Sequence, residues 1–323
     1  MSETKVETID VKVVRKTKEA DGIVSFKLQA ANGKPLASFS AGSHIDVHVP
    51  GGIVRQYSLC NDPHDSSHYQ IAVLRDPASR GGSLGMHEQV NQGDVIKISQ
   101  PKNQFPLVPA ERSLLLAGGI GITPILCMAE RLTRIGARFK MHYCSRSAER
   151  TAFVDRIKAS AFASHAQFHF DDAGSEQKLD LPAILKKAGK ETHIYVCGPT
   201  GFIEHVVATA KELGVGEEFV HFEYFGAKQA DTTGDTAFEV KIASTGACYQ
   251  IPAGKTVVAI LEEQGISIPI SCEQGVCGTC ITRILDGVPD HRDMYFMDNE
   301  KAQNDQFTPC CSRAKSTSLT LDL

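Results

Sequence analysis

The chain has 323 residues, 42% hydrophobic and 22% charged, the balance of folded protein with room for two or three domains. No apolar run approaches the roughly 18 residues that cross a membrane, the first residues lack the apolar stretch of a secretion signal, and ten cysteines without one point to a reducing cytoplasm. The net charge of −4 lies at one end: residues 237–323 carry 11 acidic and 7 basic side chains, while the preceding residues carry 27 of each, with no basic patch for nucleic acid.

Residues 11–102 read as short strands separated by Gly, Pro, Asn and Asp. Val24, Phe26 and Leu28 alternate with polar neighbours, as do Ile45, Val47 and Val49, Ile71 and Val73, and Ile96 and Ile98. Period-2 strands at short intervals indicate an antiparallel β-barrel or sandwich. His44 and His48 fall on the polar side of their strand and are expected at the surface. Two stretches here are chemically dense. Arg55, Tyr57 and Ser58 offer a forked cation, a planar ring and a small hydroxyl, a set suited to a flat heterocycle with a phosphate tail. Arg80, Gly81, Gly82 and Ser83 form a turn whose backbone N–H groups can cradle an anion. Each stretch alone is equally an ordinary turn or a solvated arginine.

The pattern changes after Phe105-Pro106-Leu107. Residues Ser113–Ala117 form a continuous apolar run, as in a buried parallel strand, and Gly118-Gly119-Ile120-Gly121-Ile122-Thr123-Pro124 leads into a helix over Ile125–Ile135. Strand, glycine turn and helix is the dinucleotide-binding arrangement, with Thr123 as expected N-cap and Pro124 as first helical residue. The turn is not G-x-G-x-x-G, so the usual fingerprint does not apply. Further strands are expected at Phe139–Tyr143, Gln167–Phe170 and His193–Cys197, with a helix running to Leu213. Alternating strands and helices argue for a parallel sheet with ligands at the strands' C-terminal ends, where Cys197, Gly198 and Pro199 fall. Arg146 follows another strand and suits either adenosine-side phosphate or ribose, or a surface ion pair.

His221–Gly226 closes this region, and Ala227–Thr236 is a small, polar linker by composition. Beyond it, alternation at Phe238, Val240 and Ile242 and at Leu319, Leu321 and Leu323 marks strands, with a short helix at Thr256–Gln264. Cys272, Cys277, Cys280 and Cys310 follow the pattern C-x4-C-x2-C-x29-C, the plant-type spacing of a [2Fe–2S] cluster. Two irons bridged by two sulfides need four thiolates, and one glycine-rich loop supplies three. A structural zinc site usually shows two short Cys/His pairs, and only Cys277 and Cys280 form one. Cys310 has the expected gap; its neighbour Cys311 overshoots by one. For Cys60, Cys127, Cys144, Cys197 and Cys248, core packing is the default.

The motifs RQYS at 55–58, RGGS at 80–83, GGIGITP at 118–124, CGP at 197–199, HFEYFGA at 221–227, DHRDM at 290–294 and CSRAKS at 311–316, with the cysteine set, together resemble the phthalate dioxygenase reductase family over nearly the whole chain. That resemblance implies an FMN-binding β-barrel at 1–104, an NADH-binding α/β domain at 105–226, a linker at 227–236 and a ferredoxin-type (β-grasp) [2Fe–2S] domain at 237–323. It implies Arg55, Tyr57 and Ser58 near the flavin and Gly82 and Ser83 near its phosphate. Gly119, Gly121 and Thr123 would line the NADH site, with Cys197 near the nicotinamide and Phe225 beside the flavin ring. The cysteine at 311, directly after the last ligand, departs from the family pattern.

The expected activity is hydride transfer from NADH to FMN and one-electron transfer through the cluster to a separate Rieske-type oxygenase or O-demethylase. Plant-type clusters lie near about −400 mV, low enough for that acceptor. No catalytic acid or base is required. A cytoplasmic monomer is expected. The competing readings are a different acceptor such as a non-Rieske hydroxylase, a non-enzymatic ferredoxin-type carrier, and a zinc-bound interaction module.

Overall fold

A computed structural model describes residues 8–226 and 232–323 and divides into two compact units, Met1–Glu223 and Tyr224–Leu323. Among the described residues no helix is long and apolar enough to cross a membrane.

The first unit opens with strands β1 (Thr8–Ala20), β2 (Ile23–Ala30), β3 (Ser43–Val49), β4 (Ile53–Ser58) and β5 (Tyr69–Leu74), helix α1 (Gly82–Gln89), and strands β6 (Val95–Ser99) and β7 (Lys102–Asn103). Their order is β4-β3-β6-β1-β2-β5, with β7 on β3, and the pairings are antiparallel. The two outer strands meet. Leu59, just past β4, bridges Ile71 of β5, and the Cys60 N–H donates to the Gln70 carbonyl at 2.9 Å, so the sheet curls into a barrel. The period-2 apolar residues, among them Val13, Phe26, Ile45, Val47 and Ile98, fill its interior.

Two expectations need correction here. The polar side of β3 is not at the surface: His44 and Asp46 are 2% and 6% exposed. β3 is flanked by β4 on one edge and by β6 and β7 on the other; the Asp46 carboxylate is tied to Lys102 at 2.8 Å and its backbone N–H donates to Ser99 Oγ at 2.9 Å. Polar partners from neighbouring strands replace water around Asp46, whereas His44 Nε2 is buried with no hydrogen-bond partner among the described residues. Helix α1 was not legible as one, because it begins on the glycines that read as a turn.

The second half of the unit contains β8 (Arg112–Gly118), α2 (Ile122–Arg134), β9 (Arg138–Ser145), α3 (Val154–Lys158), β10 (Ala166–Phe170), α4 (Leu181–Ala188), β11 (His193–Gly198), α5 (Thr200–Glu212) and β12 (Val220–Tyr224). The order is β10-β9-β8-β11-β12, and the pairs β10/β9, β9/β8 and β8/β11 are parallel. The chain winds outward from β8, then returns to place β11 on its other side. That puts the topological switch point between the C-terminal ends of β8 and β11. Cys60 and Ala72 from the barrel share one apolar core with Leu126, Cys127 and Phe153, so a border at 104/105 lies within a single compact unit.

The second unit contains β13 (Phe238–Ile242), β14 (Cys248–Ile251), α6 (Val257–Glu263), β15 (Thr282–Asp286), β16 (Pro289–Asp290), α7 (Asp298–Lys301), β17 (Gln306–Phe307), β18 (Arg313–Ala314) and β19 (Ser318–Leu321). One sheet runs β14-β13-β19-β15-β17, with β13 and β19 parallel, and β16 pairs β18 separately. Thr256 caps α6, its Oγ1 accepting from the Ala259 N–H at 3.1 Å. Val240, Leu261, Phe307 and Leu319 share the core with Cys280 and Cys310. Cys248, expected in a core, is exposed because β14 is an edge strand paired only with β13. Residues 227–231 of the expected linker lie outside the described residues.

Imidazole pairs bridge both outer strand pairs of the parallel sheet. His142 Nδ1 lies 2.9 Å from His169 Nε2 across β9/β10, and His193 Nδ1 lies 2.9 Å from His221 Nε2 across β11/β12. Burial first, and then His169, lowers the His142 pKa from 6.5 to about 4. Between those values the unfolded chain binds the extra proton and the folded one does not, so stability is lost as pH falls through that window. His142→Asn is expected to flatten the decline of Tm between pH about 6.5 and 4 relative to the parent. Thermal melts across that range test this; equal slopes would show that His142 does not carry the proton linkage.

Candidate cofactor sites

The first site gathers around β4 and the start of α1. Arg55, Tyr57 and Ser58 lie on β4, and Gly81 caps α1 with φ 98°. Sequence places Arg55 and Gly82 far apart; the fold brings them into contact, since a Cβ on Gly82 would stand 2.7 Å from Arg55 Cγ. The α1 N-terminus and a forked cation therefore converge, both suited to an anion. Ser83 Oγ accepts from the Asp76 N–H at 3.1 Å, which holds the preceding turn against the helix, and Arg80 is exposed before it. Burial pushes the Tyr57 phenol above its usual range, so it stays protonated and can donate.

The second site is the switch point. One turn of 3₁₀-helix, Gly119–Gly121, links β8 to α2. Helix α2 starts at Ile122, so Thr123 is not its N-cap: it lies in the first turn, its Oγ1 donating to the Ile120 carbonyl at 3.1 Å. Pro124 is still tolerated there because first-turn N–H groups lack helical partners. Gly121 is required by close approach, since a Cβ would overlap the Cys197 carbonyl at the end of β11. A Cβ on Gly198 would stand 2.9 Å from Gly118 Cα, and Pro199 caps α5. Arg146 is exposed one strand over, beyond β9, where its carbonyl accepts from the Asp172 N–H at 3.2 Å.

Glu223, on β12, is a residue that sequence reasoning did not single out. Ser58 Oγ donates to its Oε2 at 3.3 Å, joining the barrel site to the parallel-sheet site. Its carboxyl is enclosed, and desolvation raises its pKa to about 8. Burial, then Glu223, pushes the Cys197 thiol well above its usual range. The only sequence signal for this group was an acid inside an aromatic strand, which says nothing about a partner 165 positions away. Phe225 belongs to the second unit and is 40% exposed.

The third site is the cysteine loop. Cys277, Cys280 and Cys310 are buried, and Cys272 is partly so. The thiols meet in pairs: Cys272 with Cys277 and Cys310, and Cys280 with Cys310. Among the described residues no three His, Cys, Asp or Glu side chains are arranged around a single metal ion. Hydrogen bonds from Cys277 and Cys310, with the Gln274 and Val276 amides behind them, hold Cys272 far below the usual thiol range. The Gln274 N–H lies 3.3 Å from its sulfur, and Cys277 Sγ lies 3.2 Å from Thr279 Oγ1. Gly275 (φ 70°) leaves the space that a Cβ would take from Cys311 Sγ and from Asp293, while Glu273 adopts φ 57° within the same turn. Four clustered thiols with donors aimed at sulfur fit a [2Fe–2S] cluster. Cys310 touches both Cys272 and Cys280; Cys311 turns to Thr308 Oγ1 at 3.3 Å.

Comparison with known proteins agrees with this arrangement. A family model for a 2Fe-2S iron-sulfur cluster binding domain matches residues 240–315. The vanillate O-demethylase oxidoreductase of Pseudomonas putida is 53% identical, over 98% of this chain and 100% of its own length. The solved phthalate dioxygenase reductase, described as a modular structure for electron transfer from pyridine nucleotides to [2Fe-2S], superposes with a TM-score of 0.77 at 38% identity and 98% coverage of both chains. An intact type IV self-sufficient cytochrome P450 monooxygenase matches at TM-score 0.85 and 35% identity, over 98% of this chain and 41% of its own.

Two outcomes follow from the geometry. Gly121→Ala is expected to force β8 and β11 apart, cost roughly 1–3 kcal/mol of stability and weaken NADH binding, read by melts and by titration of flavin bleaching. Gly82→Ala, which meets only a flexible side chain, is the milder control. For Glu223, the folded pKa lies above the unfolded one, so the folded state keeps a proton that the unfolded chain has lost. Stability of the flavin-free protein should therefore fall as pH rises from about 4.5 to 8, and Glu223→Gln should remove much of that slope.

Proposed function

The chain belongs to the phthalate dioxygenase reductase family, and from that premise we propose that it is the NADH-dependent reductase component serving a separate Rieske-type aromatic-ring oxygenase or O-demethylase. The end-to-end identity of 53% with a vanillate O-demethylase oxidoreductase carries this reading and favours an aryl methyl ether demethylase as the electron acceptor. When bound, FMN takes the hydride pair from NADH and the [2Fe–2S] centre passes electrons out one at a time.

The chain's own residues bind and orient. Arg55 and the Gly81-Gly82-Ser83 amides hold the FMN phosphate, with Arg80 at the rim, and the α1 N-terminus adds partial positive charge. The family likeness favours FMN over FAD. Tyr57 and Ser58 flank the ring, and the protonated Tyr57 hydroxyl donates. Gly119, Gly121 and Thr123 let the pyrophosphate of NADH approach the α2 N-terminus, while Cys197, Gly198 and Pro199 shape the nicotinamide end. The neutral Cys197 thiol and the raised Glu223 carboxyl keep negative charge away from the transferred hydride. Arg146 meets the adenosine-side phosphate or ribose. Cys272, Cys277, Cys280 and Cys310 ligate the cluster. The protein acts as a cytoplasmic monomer with domains at 1–104, 105–226 and 237–323 joined by 227–236.

The likeness to part of a self-sufficient cytochrome P450 supports a second reading, in which a haem monooxygenase is the acceptor. Reconstitution separates the two: the first reading expects NADH-dependent vanillate turnover with a Rieske demethylase oxygenase, the second expects turnover only with a haem partner.

Anaerobic NADH addition to protein of known iron and FMN content is expected to bleach the flavin and develop a [2Fe–2S] EPR signal. A fully loaded sample that NADH does not reduce would sink the assignment. Cys310→Ser should lose the cluster or alter its spectrum, whereas Cys311→Ser should retain both.

A further inference from the structure

The second unit contains a cross-brace that the electron path itself does not use. Asp235 precedes β13, and its side chain is 3% exposed. Its Oδ1 lies 2.7 Å from Arg292 Nη2, an ion pair outside the angle of a directed hydrogen bond, and its Oδ2 lies 3.4 Å from Arg313 Nε. Both arginines are fixed independently. Arg292 Nε donates to Asp290 Oδ2 at 2.8 Å. Arg313 donates to the carbonyls of Lys255, Pro252 (3.0 Å) and Thr236 (3.1 Å), with its guanidinium 5.0 Å from the centre of the Phe238 ring.

Each arginine belongs to a segment that backs the cysteine loop. Arg292 precedes Asp293, whose Cα and Cβ stand 2.9 Å from the place of a Gly275 Cβ, and the Met294 N–H donates to the Gly275 carbonyl at 3.0 Å. Arg313 follows Cys310, Cys311 and Ser312, and Ser312 Oγ accepts from the Arg292 N–H at 3.1 Å. Asp235 thus ties 290–296 to 308–313 from behind. Without its charge, the buried Arg313 and the partly buried Arg292 guanidinium groups would face each other with less compensation, and breaking such a pair is far costlier than the pair is worth.

We propose that Asp235 is a positioning residue for the cluster: by bridging Arg292 and Arg313 it holds the segment bearing Cys310 against the segment that buttresses Gly275, and so sets where the fourth sulfur lies. This rests on the assignment of Cys310 as a ligand.

The test uses full-length, cofactor-loaded protein. Asp235→Asn is expected to shift the g-values of the reduced cluster and to speed its loss to an iron chelator by about tenfold, the low end of what removing an outer partner of a metal site costs. FMN content and the rate of flavin bleaching by NADH should stay within about twofold, because they belong to the other unit. Asp235→Glu keeps the charge and should give an intermediate shift; it carries the test if the Asn variant does not accumulate. Unchanged g-values and chelator half-life in either folded variant would overturn the proposal, as would a lower Tm without any spectral change. Parent protein that binds no cluster would instead sink the Cys310 assignment beneath it.

Discussion

The proposed pyridine-nucleotide site depends on one close approach, that of Gly121 to the Cys197 carbonyl where the strand order of the parallel sheet reverses. Strands β8 and β11 must run side by side and then release their chains to opposite sides, which opens a crevice at their C-terminal ends. A side chain at either glycine would fill it with the protein's own atoms. The α2 N-terminus, the neutral thiol of Cys197 and the approach of Glu223 to Ser58 all take their places from that geometry.

The hydride site is also notable for charge that it does without. Burial keeps Tyr57, Cys197 and Glu223 protonated in the range where their free side chains would begin to ionise or already have. Such a setting suits a transfer in which the moving group is already an electron pair with a proton. It asks the protein for orientation and exclusion of water rather than for an acid or base. The cysteine loop divides its protons unevenly: Cys272, which receives the Gln274 N–H, is held low, while Cys277 and Cys310, which share hydrogen bonds with it, are pushed up.

The iron–sulfur unit shows how little of a cluster site resides in its ligands. Three thiols come from one turn, but the fourth arrives on a separate segment, and that segment is held through Ser312, Arg313 and Asp235. Asp293 serves the other side, its carboxylate accepting from the N–H groups of Tyr295 (3.2 Å) and Phe296 (2.9 Å) while its backbone closes over Gly275. These contacts join residues far apart in the chain, and each is a candidate for tuning the cluster without touching it.

Local pattern was sufficient wherever one residue type answers one local need. Alternation in β3, β5 and β13, the apolar run of β8, the Thr256 cap and the cysteine spacing were all legible, because period, cap and ligand spacing are properties of a few consecutive residues. Where a contact partner lay elsewhere, the sequence misled or was silent. His44 looked solvated until β7 and Ser99 covered its strand; Gly81-Gly82 looked like a turn until Arg55 and Ile53 packed against it; Thr123 looked like a cap until the helix proved to start two residues earlier. Glu223 carried only the signal of an acid inside an aromatic strand, and Asp235 carried none. Their chemistry comes from desolvation and from distant partners, and only the folded chain brings those into range.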